Sequence, residues 1–380
     1  MAASDLIIIG ASARAAAFSA LRAGIEPWCA DLFGDRDLRS RAPVSAVSPS
    51  EYPEAFFRLF EKAPFCPWMY TGALENRPRL LQKLAKLRPL WGNDAATVAA
   101  ARQPVRRTML LRQAGLPCPD VRTSNQPPAA GGGWLQKPIA SAGGHGIRAW
   151  SREPARRGWY FQEYVVGVPC SAVYIGMHGQ ARLLGATRQL IGENWLYAGP
   201  FRYCGSIGPL ALSVRVQATL AALGGLIVHE CGLRGVFGVD YVLRDDQPCC
   251  VEVNPRYTGS VEILEHALGI RAVALHASAF GWEEEQALAA VPSVPPVAGK
   301  AIIFARGDMT FPQDGPWLPA LNVPRTDHAM TAFADIPMPG TVITRGRPIL
   351  TVLAAGASEE DCGRLLRERV RDLDRWLYER

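Results

Sequence analysis

The sequence predicts a multidomain α/β protein, and three observations carry that expectation. From Leu6 to Asp31 the chain opens with an apolar strand, a glycine turn, a helix and a second strand ending in an acid, which is a βαβ unit. Between two later strands lies a loop dense in glycine, Ser141-Ala142-Gly143-Gly144-His145-Gly146. Further on, 235–254 reads as a hairpin whose strands are rich in β-formers around the turn Arg244-Asp245-Asp246-Gln247-Pro248. At 380 residues there is room for two or three domains, each with its own core.

Composition narrows the function. The net charge of +6 is spread over arginines, with no basic tract, zinc-finger spacing or aromatic RNA-binding motif. Nucleic acid is therefore excluded as the expected partner, and anionic small molecules fit the positive excess. Nine cysteines, an odd number with no C-x-x-C pair, read as a reduced, cytoplasmic pattern. The apolar run Leu6–Ile9 stops after four residues and follows no basic segment, so no signal peptide is expected. No stretch approaches the length of a membrane span, and no membrane partner is expected.

Residues 1–100 read as a Rossmann-like entry domain. The turn Gly10-Ala11-Ser12-Ala13-Arg14 lacks two glycines of G-x-G-x-x-G, the ones that let a pyrophosphate approach the backbone. A dinucleotide site with Asp31 on a ribose is disfavoured for that reason, while Ser12 and Arg14 stay candidates to hold an acidic group at a helix N-terminus. Helices opened by Ser48–Pro53 and spanning 75–87 carry apolar faces and no chemistry.

Residues 101–160 contain a helix over 102–114, closed by Gly115 and Pro117, and then the glycine loop. Glycines expose N–H groups that cover phosphates without a Cβ in the way. Lys137, just upstream, is placed to reach them, and a lysine here carries weight because the chain has five against 36 arginines. No Walker A sequence is present. Glycines and few apolar contacts predict a loop that is poorly held, and so mobile, without nucleotide.

Residues 161–299 include the hairpin. Glu252 and Asn254 are two apart and share a face, and Asp240 lies twelve residues earlier, across the turn. The same alternation occurs in any hairpin with a wet face. As a convergent set, however, two carboxylates and an amide make an all-oxygen site suited to Mg²⁺, with Mn²⁺ as a substitute. Arg256 follows at the same spacing, a fork of donors for phosphate or carboxylate. The aperiodic segment 189–208 reads as a recognition loop, with Glu193, Asn194, Trp195, Phe201, Arg202 and Tyr203 as candidates to surround an acceptor. A helix after Arg256 begins near Ser260, an anion pocket in principle. Glu262 and His266 have the spacing of a metal pair, which ordinary surface contacts share. The proline-rich run 291–297 reads as a linker.

Residues 300–380 read as a closing lobe without assigned chemistry. It has a strand over 300–305, a hairpin of 340–344 with 348–353, and a final helix capped at Ser358-x-x-Asp361.

The order Asp240, then Glu252-x-Asn254-x-Arg256, resembles the metal-binding signature of the ATP-grasp superfamily. Lys137, the glycine loop and the run Gln162-Glu163-Tyr164-Val165-x-Gly167 precede it in the family's order. The resemblance implies an ATP-grasp fold with an N-terminal Rossmann-like pre-ATP-grasp domain and a small C-terminal lobe. It implies ATP as substrate with Mg²⁺ held by Asp240, Glu252 and Asn254. The nucleotide would lie against Lys137, Ser141, Gly143, Gly144 and Gly146, with Gln162 toward the adenine amine and the Glu163, Tyr164 and Val165 backbone along the ring. Lys137 and Arg256 would neutralise the transferring phosphoryl group. The family's further lysine, expected near 102–107, is replaced by Arg102, Arg106 and Arg107.

Within the superfamily the chain resembles the predicted ATP-dependent carboligase group, some of which accompany genes for one-carbon (methanopterin- or methanofuran-type) cofactor synthesis. The implied reaction activates a carboxylate as an acyl phosphate and joins it to an amine, with a homodimer as an assembly to test for. Two other readings stay open: a biotin-carboxylase-like carboxylating enzyme, and a non-catalytic ATP-binding sensor.

Overall fold

The computed structural model describes residues 4–129, 133–154, 156–282, 296–324 and 329–379. Strands β1 (Leu6–Ile9), β2 (Pro27–Asp31), β3 (Val44–Ala46) and β4 (Trp68–Tyr70) form a parallel sheet in the order β3-β2-β1-β4. All of β1 is buried, which explains its unbroken apolar run. The order reverses between β1 and β4, so the turns following these strands face one crevice, the usual ligand position in such sheets.

A second sheet, antiparallel, comprises β5 (Val121–Thr123), β6 (Trp134–Pro138), β7 (Arg148–Ala149) and β8 (Trp159–Glu163) in the order β5-β8-β6-β7. The single helix expected over 102–114 is two helices, Ala95–Arg102 and Pro104–Gln113. Pro104 has no N–H to continue the first helix, and the Gln103 side chain caps the second by accepting from the Arg106 N–H. Arg102 thus ends one helix while Arg106 and Arg107 begin another.

The largest sheet joins β9 (Val168–Met177), β10 (Gln180–Ile191), β11 (Tyr203–Gly208), β12 (Gly235–Arg244), β13 (Gln247–Asn254), β14 (Val297–Phe304), β16 (Phe333–Ala334) and β18 (Pro348–Gly356). Its order is β13-β12-β9-β10-β11-β14-β18-β16, so strands on either side of residue 300 share one sheet. Strand β11 falls inside the segment expected to be a loop. Its glycines hide the periodicity, and Gly205 is needed because a Cβ there would sit 2.1 Å from the Lys300 carbonyl oxygen of the next strand. The hairpin expected from 340–344 and 348–353 does not form: β17 (Val342–Ile343) pairs with β15 (Met309–Thr310) instead. Strand β18 is buried on both faces and lies inside the large sheet between β14 and β16. Most of the expected linker, 291–295, lies outside the described residues, and Val297 already belongs to β14.

Helix Val214–Cys231, capped by Ser213 and ended by Gly232 at φ 70°, covers one face of the central strands with Leu220, Leu223 and Ile227. Helix Gly259–Leu268 packs against β9, β10, β11 and β14. Helix Glu359–Tyr378 packs Leu366, Val370 and Leu373 onto β14 and β18. Among the described residues no helix is long and apolar enough to cross a membrane.

Candidate active site

Asp240 and Glu252 are directly opposed across the β12–β13 hairpin, and a bulge follows because Tyr241 pairs with Cys250. Val251 is the extra residue, and its carbonyl is free to accept from Arg107 Nη2 at 2.9 Å. Asn254 Nδ2 donates to Asp240 Oδ2 (2.9 Å), and Gln189 Nε2, unremarked in the sequence, donates to Oδ1 (3.0 Å). Burial, and then the charge of Glu252, push the Asp240 carboxyl up to about 6. Glu252 is the more open of the two, its side chain 34% exposed, with Arg102 Nη2 3.8 Å from Oε1.

This donor set fits Mg²⁺. Two carboxylates and an amide oxygen sit on rigid strands, and Asp240 carries a raised carboxyl that a cation would relieve. Among the described residues no group of three or more His, Cys, Asp and Glu is arranged to hold a metal. A two-carboxylate site completed by phosphate oxygens is the arrangement Mg²⁺ commonly takes.

Lys137 lies across the cleft from Glu252, and Arg102, Arg107 and the glycine loop line the same space. Its Nζ is buried, 3.3 Å from Gln162 Oε1 and 5.9 Å above the Tyr160 ring. No carboxylate pairs with it among the described residues. A buried cation without a counter-ion is costly and marks the place for an anion. Of the three arginines near the missing lysine, Arg102 and Arg107 reach this cleft, whereas Arg106 donates to the Glu230 carbonyl at the surface.

The glycine loop is held more firmly than expected. The Ser141 carbonyl accepts from Asn76 Nδ2 (3.3 Å) and Arg102 Nη2 (3.1 Å), and the Gly143 carbonyl accepts from the Tyr203 N–H (3.2 Å). Backbone contacts replace the apolar contacts that the loop lacks. Gly144, at φ 74°, is required: a Cβ would meet the Phe201 carbonyl oxygen at 1.7 Å. Gly146 also takes a positive φ, of 79°, and His145 beside it is exposed.

Along the run Gln162–Val165, Gln162 points its amide oxygen at Lys137. The Glu163 N–H is bonded to the Asp120 carbonyl and the Tyr164 N–H to the Gly133 carbonyl. The Val165 N–H is left without a hydrogen bond among the described residues.

Arg256 is not the free fork that its spacing implies. It lies beyond the end of β13 and gives Nε to Glu75 Oε1 at 2.7 Å and Nη1 to the Tyr257 carbonyl at 3.1 Å, leaving Nη2 3.4 Å from Asn254 Oδ1. Burial opposes its charge, but Glu75 outweighs that and the guanidinium pKa is raised. Glu75 comes from the turn after β4, so this pair ties the parallel sheet to the β12–β13 hairpin.

Other candidates take structural positions. Asp31 is fully buried and accepts from the N–H groups of Ala13 (3.1 Å) and Gly34 (2.7 Å), leaving nothing for a ribose. Arg14 is buried against Glu262, Asp335 and Asp37, not offered to a substrate. Glu262 also accepts from Lys300 Nζ (3.2 Å), so with Arg14 and Lys300 both on its carboxylate it is not free to share a metal with His266. Within the recognition segment, Trp195 donates to Glu193 (2.7 Å) and stacks under Arg367 toward the last helix. Phe201 and Tyr203 instead face the glycine loop, and Tyr203, Ser206, Ser260 and Thr187 link their hydroxyls into one chain.

Residues 105–260 match the ATP-grasp domain family. That segment is an ATP-grasp domain. The chain's α/β architecture is the ATP-grasp fold, a parallel N-terminal sheet followed by antiparallel central and C-terminal sheets. An L-amino acid ligase from Bacillus licheniformis superposes with a TM-score of 0.69 over 97% of each chain, at 19% identity. The biotin carboxylase domain of a Hydrogenobacter thermophilus 2-oxoglutarate carboxylase, solved with MgADP and bicarbonate, gives 0.71 over 98% of this chain and 90% of that one, at 13% identity. An uncharacterized Methanocaldococcus jannaschii protein is 24% identical over 194 residues, 51% of this chain and 41% of that protein. The match therefore spans about two fifths of that relative's length.

Proposed function

We propose that this ATP-grasp protein is a Mg²⁺-dependent ligase that activates a small carboxylate as an acyl phosphate and joins it to an amine, releasing ADP. The observation that carries the reading is Lys137, a buried cation with no counter-ion among the described residues, facing Glu252 across a cleft that Gly143 and Gly144 also line. In that cleft Lys137 and Arg102 bind the phosphates, Gly143, Gly144 and Gly146 cover them, and the Val165 N–H meets the adenine. Glu252, Asp240 and Asn254 would hold Mg²⁺, which neutralises phosphate charge when bound. Arg256, oriented by Glu75, presents its remaining N–H edge to the carboxylate that attacks the γ-phosphate. The acceptor enters from the crevice after β1 and β4, past Ser12 and Gly72, toward Tyr203. Closure of the glycine loop onto Tyr203 keeps water from the acyl phosphate. No enzyme nucleophile is needed, and the buried cysteines take no part.

The test is ADP release measured over a panel of carboxylate and amine pairs with MgATP. A pair-dependent release that Glu252→Gln removes supports the ligase. Release that needs bicarbonate and a biotin carrier points to a carboxylating enzyme, and nucleotide binding without any release points to a sensor.

A further inference from the structure

The turn that follows β4 reaches both ends of the cleft through two neighbouring residues. Glu75 and Asn76 close one turn of 3₁₀ helix, Leu74–Asn76, which is entered through Ala73 at φ 79°. A residue with a Cβ takes that left-handed conformation at a cost, and such strain persists where the surroundings demand it. Glu75 orients Arg256, beyond the end of β13, by accepting from its Nε at 2.7 Å. Asn76 serves the other end. Its Oδ1 accepts from Arg102 Nη1 at 2.7 Å, and its Nδ2 donates to the Ser141 carbonyl at 3.3 Å. Arg102 Nη2 donates to the same carbonyl at 3.1 Å, which closes a ring of three hydrogen bonds. The ring joins the parallel sheet, the end of helix Ala95–Arg102 and the first residue of the glycine loop.

An amide suits this position because it must accept from a guanidinium and donate to a carbonyl. A carboxylate would keep the first bond and lose the second. The ring also decides what Arg102 has left to offer. Both of its partners here are neutral, and Glu252 Oε1 stays 3.8 Å from Nη2, so the guanidinium is fixed by neutral groups and lines the cleft with its charge. The glycine loop has little else to hold it. Among the described residues, the Tyr203 N–H on the Gly143 carbonyl is the one further hydrogen bond tying 141–146 to another element. The Ser141 hydroxyl and the His145 and Ile147 N–H groups are bonded within the loop, to the carbonyls of His145, Ala142 and Gly144.

We propose that Asn76 is a positioning residue for the phosphate site: through Arg102 and the Ser141 carbonyl it sets the glycine loop over the cleft before a nucleotide arrives. A site arranged in advance spends less of its binding energy on ordering the loop. The consequence for nucleotide affinity rests on the reading that this cleft binds ATP, whereas the latch itself does not. Because Asn76 adjoins Glu75, one short turn keeps the phosphate end and Arg256 in a common register.

The test compares the native full-length protein with Asn76→Ala and Asn76→Asp, by hydrogen–deuterium exchange without nucleotide and by calorimetric titration with MgADP. In Asn76→Ala the His145 and Ile147 amides should exchange at least about tenfold faster, and MgADP should bind about tenfold more weakly. Exchange across 235–254 and the thermal unfolding midpoint should stay as in the native protein. Asn76→Asp keeps an acceptor for Arg102 but has no donor for the Ser141 carbonyl, so it should loosen the loop as well. Native-like loop exchange in Asn76→Ala overturns the proposal, as does native-like protection in Asn76→Asp. Faster exchange throughout the chain with a lowered midpoint would make Asn76 an ordinary packing residue, and faster loop exchange with unchanged MgADP affinity would remove its positioning role. Faster loop exchange in the variants of a protein that binds no MgADP leaves the latch standing and sinks the ATP reading alone.

Discussion

Two clusters of buried charge organise this molecule, and they are built in opposite ways. In the cleft, Asp240, Glu252 and Asn254 come from one hairpin, and Asp240 is bonded to two amides and no cation, so that it is pushed up to about 6 by burial and by Glu252. At the junction between the parallel sheet and the last lobe, Arg14 reaches Glu262 and Asp335 across 248 and 321 residues of sequence. There burial would raise the Glu262 carboxyl, but Arg14 and Lys300 outweigh it and hold it far below the ordinary carboxylate range. The first cluster is unfinished without a ligand. In the second, Arg14 and Lys300 are already bonded to Glu262 and Asp335, and these pairs clamp three parts of the chain together. Burial by itself thus says little about function; the balance of partners does.

The largest effect should come from the clamp. Arg14→Ala strands Glu262 and Asp335 and should cost about 3–5 kcal/mol of folding stability, the usual penalty for breaking a buried pair. Denaturant unfolding measures it, and a loss below about 1 kcal/mol would erase the contrast between the clusters. In the cleft, Glu252→Gln should lower turnover by about 10²-fold or more while leaving the unfolding midpoint almost unchanged. Comparable losses in stability and turnover would mean that the cleft too is structural. Lys137→Ala should weaken MgADP binding by roughly tenfold, about 1.4 kcal/mol, because it removes the cation that awaits the phosphates. Nucleotide titration by fluorescence or calorimetry reads this directly, and unchanged affinity would place the phosphates elsewhere.

The smallest effect concerns Asp240. Its folded carboxyl titrates near 6 against an ordinary 3.8, so its ionised form opposes folding. That penalty is absent at low pH and grows as pH rises through about 6. Asp240→Asn should therefore stabilise the metal-free protein by about 1–2 kcal/mol at pH 8 and by nothing at pH 4. Mg²⁺ binding should run the other way, weakening as pH falls below about 6 and Asp240 takes up a proton. Stabilisation at pH 4 that equals that at pH 8 would contradict the assigned titration.

The difference between the clusters also explains what could be read in advance. Asp240, Glu252 and Asn254 were legible because strand periodicity places residues two apart on one face and a short turn sets the register. Gln189 joins Asp240 from β10, and Glu75 meets Arg256 from the parallel sheet. No local pattern announces either partner. The clamp was invisible for the same reason, and Arg14 was misread as substrate-facing because a helix N-terminus suggests an anion site until its protein partners are known. Pro104, by contrast, was in plain view. The segment 102–114 was read as one helix from its closing Gly115 and Pro117, where the missing N–H of Pro104 dictates two and leaves Arg102 at the end of the first. Strand β11 escaped because Gly205 and Gly208, needed for close strand packing, carry no side chain to reveal an alternation.

The central claim is that a carboxylate attacks ATP in the cleft between Lys137 and Glu252. It is tested most directly with an ¹⁸O-labelled carboxylate drawn from a pair that elicits nucleotide turnover, followed by ³¹P NMR of the products. Acyl phosphate formation transfers one carboxylate oxygen to phosphorus, so the label should appear in inorganic phosphate alongside ADP, and both signals should vanish in Glu252→Gln. Label in AMP, with pyrophosphate as the second product, would show adenylation and contradict the account.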